Sequence, residues 1–158
     1  MKLPRASAVV STVFGIGYFP QAQGTIMSAI AVPLAILLAI VGHGGMVVAG
    51  AAIIALVVGI LSCSDYVRET GITDPSECVI DELAGQWLAC SFVAFAPFQL
   101  APFFLVFVLF RIFDIWKPWP IYLAETKLHG GLAVMMDDIV AGLMAGVIGY
   151  VVHHFGWL

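Results

Sequence analysis

Charge is what this sequence has least of. Six Lys and Arg and ten Asp and Glu make up 10% of its 158 residues, against about 25% in a typical soluble domain. With 62% hydrophobic residues and a mean hydropathy of +1.07, so few charges cannot keep a compact surface wet. The composition therefore excludes an ordinary soluble domain and points to an integral membrane protein. A net charge of −4 without a basic patch excludes a nucleic-acid partner. Cysteine is equally scarce. Cys63, Cys78 and Cys90 are odd in number and lack metal spacing, so they read as small buried hydrophobes. The chain shows no internal repeat and no low-complexity tract. Lys2 and Arg5 precede a run too short and too broken, by Gly15, Gly17 and Pro20, to read as a signal peptide.

Several catalytic designs are missing as well. Cys63 to Arg68 is one residue too short for a cysteine-phosphatase loop. The chain has no Asp-x-Asp nucleophile motif and no Gly-x-Ser-x-Gly elbow. His43, His153 and His154 fall away from the other polar residues, which leaves His129 alone near them.

What the chain does have is long apolar runs. At about 20 residues per crossing, stretches 26–41, 46–63, 79–96, 103–116 (extended backwards by Leu100) and 132–152 predict five membrane helices in a single all-α domain over 1–158. Residues 6–19 predict a short interfacial helix, and Thr25 or Ser28 is placed to cap the first span. Residues 64–77 read as a polar connection, 97–102 as a turn, and 119–131 as an amphipathic linker at the membrane surface. Basic residues outside the spans (Lys2, Arg5, Arg68, Lys117 and Lys127) all fall on one side of this arrangement, and none falls on the other. The positive-inside bias predicts a cytoplasmic N-terminus and an external C-terminus.

Against that background five carboxylates stand out. Asp81, Glu82, Asp114, Asp137 and Asp138 lie inside or at the edge of apolar runs, where an ionised group costs roughly 2.5–3.5 kcal/mol at a helix centre. The topology brings them to one level beneath the cytoplasmic headgroups, along with the loop at 15–25. Asp81 and Glu82 also suit the first turn of a helix simply by its dipole, and Arg111 with Asp114 suits a structural ion pair. Asp137-Asp138 resists such readings, because adjacent acids project about 100° apart and cannot both reach water easily. Ala141, Gly142, Ala145, Gly146 and Gly149 read as small-residue helix packing. The Phe103, Phe104, Phe107, Phe110 run reads as core or lipid contact.

Five close carboxylates need protons or divalent cations to coexist. Oxygen ligands without Cys or His suit Mg²⁺, with Mn²⁺ or Ca²⁺ as variants. Arg111 and Lys117 are then candidates for holding phosphate oxygens. Metal-assisted attack of water on a phosphate and a small ion- or proton-coupled transporter both fit these residues, with a non-catalytic assembly subunit as a third reading. A transporter would carry charges near the midplane and often repeats or interrupted helices, neither of which the sequence shows.

Three motifs, Val79-Ile-Asp81-Glu82-Leu-Ala-Gly85-Gln-Trp87, Phe110-Arg111-Ile-Phe-Asp114-Ile-Trp-Lys117-Pro118-Trp-Pro120-Ile and Met136-Asp137-Asp138-Ile-Val-Ala141-Gly142, resemble the phosphatidylglycerophosphatase A family. So does Gly15-Ile-Gly17-Tyr-Phe-Pro20 with Gly24-Thr25, and the likeness runs through essentially the whole chain. It implies a Mg²⁺-dependent lipid phosphatase of the bacterial inner membrane, facing the cytoplasm, that converts phosphatidylglycerophosphate to phosphatidylglycerol. Carried onto this chain, it implies Glu82, Asp137 and Asp138 as core metal ligands, with Asp81 or Asp114 completing the site or acting as base. Arg111 and Lys117 would bind the phosphate, and Gly24 and Thr25 would approach it. One departure is visible: Ala22-Gln23-Gly24-Thr25 stands where the family often reads Ala-Pro-Gly-Thr.

Overall fold

A computed structural model of the protein describes residues 5–73, 75–95 and 98–156, with the backbone alone at 124–126. Lys2, residues 96 and 97 at the expected span-to-turn junction, and the last two residues of the expected tail lie outside them. Seven α-helices are described: α1 (Ala6–Ser11), α2 (Gln23–Val41), α3 (Gly45–Thr70), α4 (Ile80–Ser91), α5 (Leu100–Trp116), α6 (Ile121–Lys127) and α7 (Gly131–His154). A 3₁₀ turn at Ile16–Tyr18 follows α1, and no strand occurs among the described residues.

The helix ends follow local chemistry. Gly42 ends α2 with its N–H on the Leu38 carbonyl, and Gly71 ends α3 in the left-handed region (φ 73°), a conformation glycine adopts without penalty. Since α3 persists to Thr70, the first half of the expected polar connection at 64–77 is helical. An Asp65–Arg68 ion pair at 2.7 Å, one turn apart, supports that extension. At Lys117 the following Pro118 disfavours right-handed helix. Lys117 takes φ 47° and closes α5 with its N–H on the Phe113 carbonyl. The expected amphipathic linker contains α6, whose Ile121 is fully buried.

Helix α4 departs most from expectation. Its 12 residues span about 18 Å, well short of a hydrocarbon core of about 30 Å. Seven of those residues are buried, because α4 packs against α2, α3, α5 and α7. It forms the centre of the bundle, where apolar character is demanded by protein neighbours instead of lipid. Among the described residues, three helices, α2, α3 and α7, are long and apolar enough to cross a membrane. The 17 residues of α5 fall just short of that length.

Side-chain size is sorted in the direction a bilayer favours. Small residues face inward: Ala31, Ala35 and Ala39 on α2, Ala52, Ala55 and Gly59 on α3, Ala141, Gly142, Ala145 and Gly146 on α7. Large aliphatic residues such as Leu37, Ile53, Ile54, Leu61 and Val147 face outward. Lipid rewards close backbone approach over burial of large apolar groups, which lipid already solvates.

Contacts also give the helix directions. Gly85 of α4 faces Asp138 and Gly142 of α7, and Phe92, just past the end of α4, meets Gly146, so α4 and α7 run parallel. Gly45 at the start of α3 sits on Ser91 at the end of α4, so α3 runs the opposite way. Gly24 meets Glu82 and Ala31 accepts a hydrogen bond from Trp87, which sets α2 parallel to α4. Phe110 lies at Gly85 and Val106 at Gly149, which sets α5 antiparallel to α7. Every Lys and Arg among the described residues lies toward one end. Arg5 pairs with Glu69 at 2.7 Å, and Lys117 with Asp137 at 3.0 Å. His153 meets Phe95 at the other end.

Candidate metal and phosphate site

All nine candidate residues, Gly24, Thr25, Asp81, Glu82, Arg111, Asp114, Lys117, Asp137 and Asp138, line one cavity of about 230 Å³ at the basic end. Four helices supply them: α2 through its first turn, α4 through its first turn, α5 through its last turn and a half and the Lys117 that closes it, and α7 from its second turn.

Two glycines decide how closely the acids meet. A Cβ on Gly142 would strike the Gly85 carbonyl, and one on Gly85 would lie 2.5 Å from the Asp138 carbonyl oxygen. The α4 and α7 backbones therefore touch where Asp81 and Asp138 each stand one turn before a glycine. The small-residue face of α7 sets carboxylate spacing as well as packing. The sequence signal was present in two Asp-x-x-x-Gly spacings, Asp81 to Gly85 and Asp138 to Gly142.

The five carboxylates fall into two sets. Asp114 pairs with Arg111 at 2.7 Å, with both side chains about 85% shielded from solvent (14% and 15% exposed). Asp137 pairs with Lys117 at 3.0 Å. The remaining three, Asp81, Glu82 and Asp138, each offer an oxygen within 4.8 Å of the other two. Asp81 thus takes the place in the cluster expected for Asp137, because Lys117, turned back by its left-handed backbone, occupies Asp137.

The donor set fits a hard divalent cation. Glu82 Oε2 and Asp138 Oδ2 are buried without a hydrogen-bond partner, and an unpaired buried carboxylate oxygen is costly. Oxygens around Mg²⁺ at about 2.0–2.1 Å lie at most roughly 4.2 Å apart, so small side-chain adjustments would close the cluster around one ion. Five carboxylates against two cations in the cavity also favour taking up positive charge.

A second pole suits an anion. The expected capping of α2 by Thr25 or Ser28 does not occur: α2 starts earlier, at Gln23, behind Ala22 in the left-handed region (φ 52°), with no side-chain cap. Ser28 instead donates to the Gly24 carbonyl at 2.9 Å and accepts a 3.4 Å hydrogen bond from Arg111. Uncapped N–H groups at a helix start, with the positive end of the dipole, make a natural phosphate seat. Here that start opens into the cavity beside Arg111. A Cβ on Gly24 would strike Glu82 and come within 3.4 Å of Arg111, so glycine leaves that space free. Gln23 occupies the first helical position, where proline is well accommodated. Its amide donates to the Ser76 carbonyl at 2.9 Å and ties the loop down by another route.

Sequence reasoning gave Ser28 only a capping role and overlooked Ser76, Pro75 and the dual role of Cys78, which is buried and also lines the cavity. Cys63 and Cys90 are buried and free, as expected. His129 lines a neighbouring cavity with Thr73 and Asp137 and does not line the main one.

The family model described as Phosphatidylglycerophosphatase A matches residues 9–153. Phosphatidylglycerophosphatase A of Escherichia coli (strain K12) is 30% identical over 98% of this chain and 88% of its own length. The Haemophilus influenzae protein of the same name is 29% identical over 90% of this chain and 85% of its own. A Bacteroides thetaiotaomicron protein, named provisionally as a phosphatidylinositol-3-phosphatase, is 34% identical over 94% of each chain. No solved structure matches. A family match across nearly the whole chain and its motifs leaves one conclusion: the chain belongs to the phosphatidylglycerophosphatase A family.

Proposed function

We propose that this protein is a Mg²⁺-dependent phosphatidylglycerophosphatase that releases the terminal phosphate of phosphatidylglycerophosphate at the cytoplasmic face of the bacterial inner membrane. The observation that carries the reading is the single cavity that sets the Asp81, Glu82, Asp138 cluster opposite Arg111, Lys117 and the open start of α2. Asp81, Glu82 and Asp138 would hold the cation. When bound, that cation would polarise the phosphoryl group and acidify the attacking water. Asp114 orients the Arg111 guanidinium, and Asp137 orients the Lys117 ammonium, toward the phosphate oxygens. Gly24 and Thr25 present backbone N–H groups to the same phosphate.

The lipid location rests on the outward-facing apolar helices. Helices α2, α3, α4, α5 and α7 alternate in direction, so the reading has five passes, with the short α4 enclosed by the other four and α5 adding exposed Leu100, Phe104 and Ile112 to the outer surface. The bias of basic residues to the site end supports a cytoplasmic position for that end. A transporter is not favoured. The acids gather at one end, and the middle of the bundle is a closed core of Ala35, Ala89, Val93, Phe103, Val106 and Ala145.

Purified protein in detergent is expected to release phosphate from phosphatidylglycerophosphate with Mg²⁺ and to stop when a chelator is added. Phosphatidylinositol 3-phosphate run in parallel tests the substrate choice raised by the Bacteroides relative. Chelator-resistant turnover would remove the metal from the reading, and preference for the inositol lipid would change the substrate. Arg111→Lys keeps the charge but loses the planar fork. It is expected to raise KM for the lipid phosphate about tenfold or more, on the scale of about 1.5–3 kcal/mol for a charged hydrogen bond. An unchanged KM would take Arg111 out of phosphate binding.

A further inference from the structure

An apolar groove of about 300 Å³ opens between α2 and α5, lined by Ala29, Val32 and Pro33 on one side and Phe103, Phe104 and Phe107 on the other. It lies one helical turn beyond the polar cavity, a separate cavity between the same two helices. On α2, Ala29, Val32 and Ile36 follow Thr25 by 4, 7 and 11 residues; on α5, Phe107, Phe104 and Leu100 precede Arg111 by the same intervals. Because the two helices run in opposite directions, both stripes descend from the site together, through about 16 Å at 1.5 Å per residue. That is close to half of a hydrocarbon core of about 30 Å. Its volume falls at the lower end of ligand pockets, roughly 300–1,000 Å³.

We propose that this groove seats an acyl chain of the lipid whose phosphate enters the cavity above it. The inference rests on the lipid-phosphatase reading and adds a chain-recognising subsite to it. Three features favour an acyl chain over a partner helix. The groove begins one helical turn from the phosphate seat on both helices, its stripes end near the bilayer midplane, and its mouth is edged by exposed Ala29 and Phe104 on the lipid-facing side. A chain in lipid is already out of water, so the groove gains little by apolar burial. Its contribution is orientation: a held chain fixes the depth and angle at which the phosphate meets Arg111 and Asp138.

The test uses a lipid phosphate with a photoreactive diazirine midway along one chain, and the full-length protein in nanodiscs. Crosslinks are expected to concentrate on 29–36 and 100–107 and to be lost in Ala29→Trp, which fills the groove. Even labelling of the outer faces of α3 and α7 would overturn the subsite whether or not the protein turns lipid over. In turnover, Ala29→Trp is expected to lower kcat/KM for a long-chain substrate roughly tenfold or more. The deacylated, water-soluble phosphate should be hydrolysed at the wild-type rate. Equal loss on both substrates, or no loss on either, would overturn the proposal. Phe104→Ala, at an exposed position, provides a second variant expected to weaken chain selectivity without filling the groove. Failure of the wild-type protein to hydrolyse any lipid phosphate would refute the phosphatase reading alone, since the crosslinks report the groove independently.

Discussion

Asp138→Asn is expected to cut turnover by more than about 100-fold while leaving the metal-free protein at least as stable as wild type. Loss of an outer partner of a metal ligand costs about 10–100-fold, and under the proposed reading Asp138 would bind the cation directly. Its side chain is 3% exposed, and Oδ2 has no partner. Without a cation that oxygen contributes only repulsion, so neutralising it relieves the apo bundle. Thermal unfolding separates this account from simple misfolding. Wild-type Tm should rise with Mg²⁺ by mass action, about 2.7 kcal/mol at 100 times Kd, and the Asp138→Asn protein should show no rise. Asp137→Asn should keep the Mg²⁺-dependent rise, because Asp137 is engaged by Lys117. A full metal response in Asp138→Asn, or near-normal turnover, would remove Asp138 from the ligand set.

Gly142→Ala should be nearly as damaging, although glycine bears no chemistry. The added Cβ would meet the Gly85 carbonyl, a backbone atom with no rotamer to yield. Helices α4 and α7 must then separate, which costs on the order of 1–3 kcal/mol in overpacking. The same shift draws Asp138 away from Asp81 and Glu82. Misplacement by about 1 Å can cost on the order of 100-fold in rate, so the activity loss should exceed what the fall in Tm explains. Gly50→Ala on α3 is the matched control, because a Cβ there meets nothing within 4 Å. It should leave both Tm and rate essentially unchanged. Wild-type turnover in a folded Gly142→Ala protein would show that the α4–α7 contact does not set the site.

Both expectations depend on a division among the acids that one-dimensional reasoning did not reach. The sequence located all five carboxylates and both cations, since a charge in an apolar run is rare and costly enough to stand out. It also located the helices: α2, α3, α5 and α7 fall within a few residues of their apolar runs, apart from the polar extension of α3. The reading of 79–96 as a full-length span overestimated α4, which has 12 residues. Hydropathy reports that a segment avoids water, and α4 avoids water by burial among four helices. Pairing of Asp137 with Lys117 escaped notice because it depends on the turn at Lys117-Pro118 and on the position of α7 across the bundle.

By itself the sequence determined that the protein is helical, that its surface is apolar, and that its few charged groups within apolar runs gather toward one end. Charge scarcity, run length and helical spacing are local properties, and they carry that information directly. Only the tertiary structure decided which acids cluster and which pair with Arg111 or Lys117, that the start of α2 remains uncapped at the cavity, and that an apolar groove lies between α2 and α5. Those outcomes turn on contacts between helices far apart in the chain, above all the glycine-to-glycine approach of α4 and α7. A difference of one Cβ there is invisible to hydropathy and decisive for carboxylate spacing.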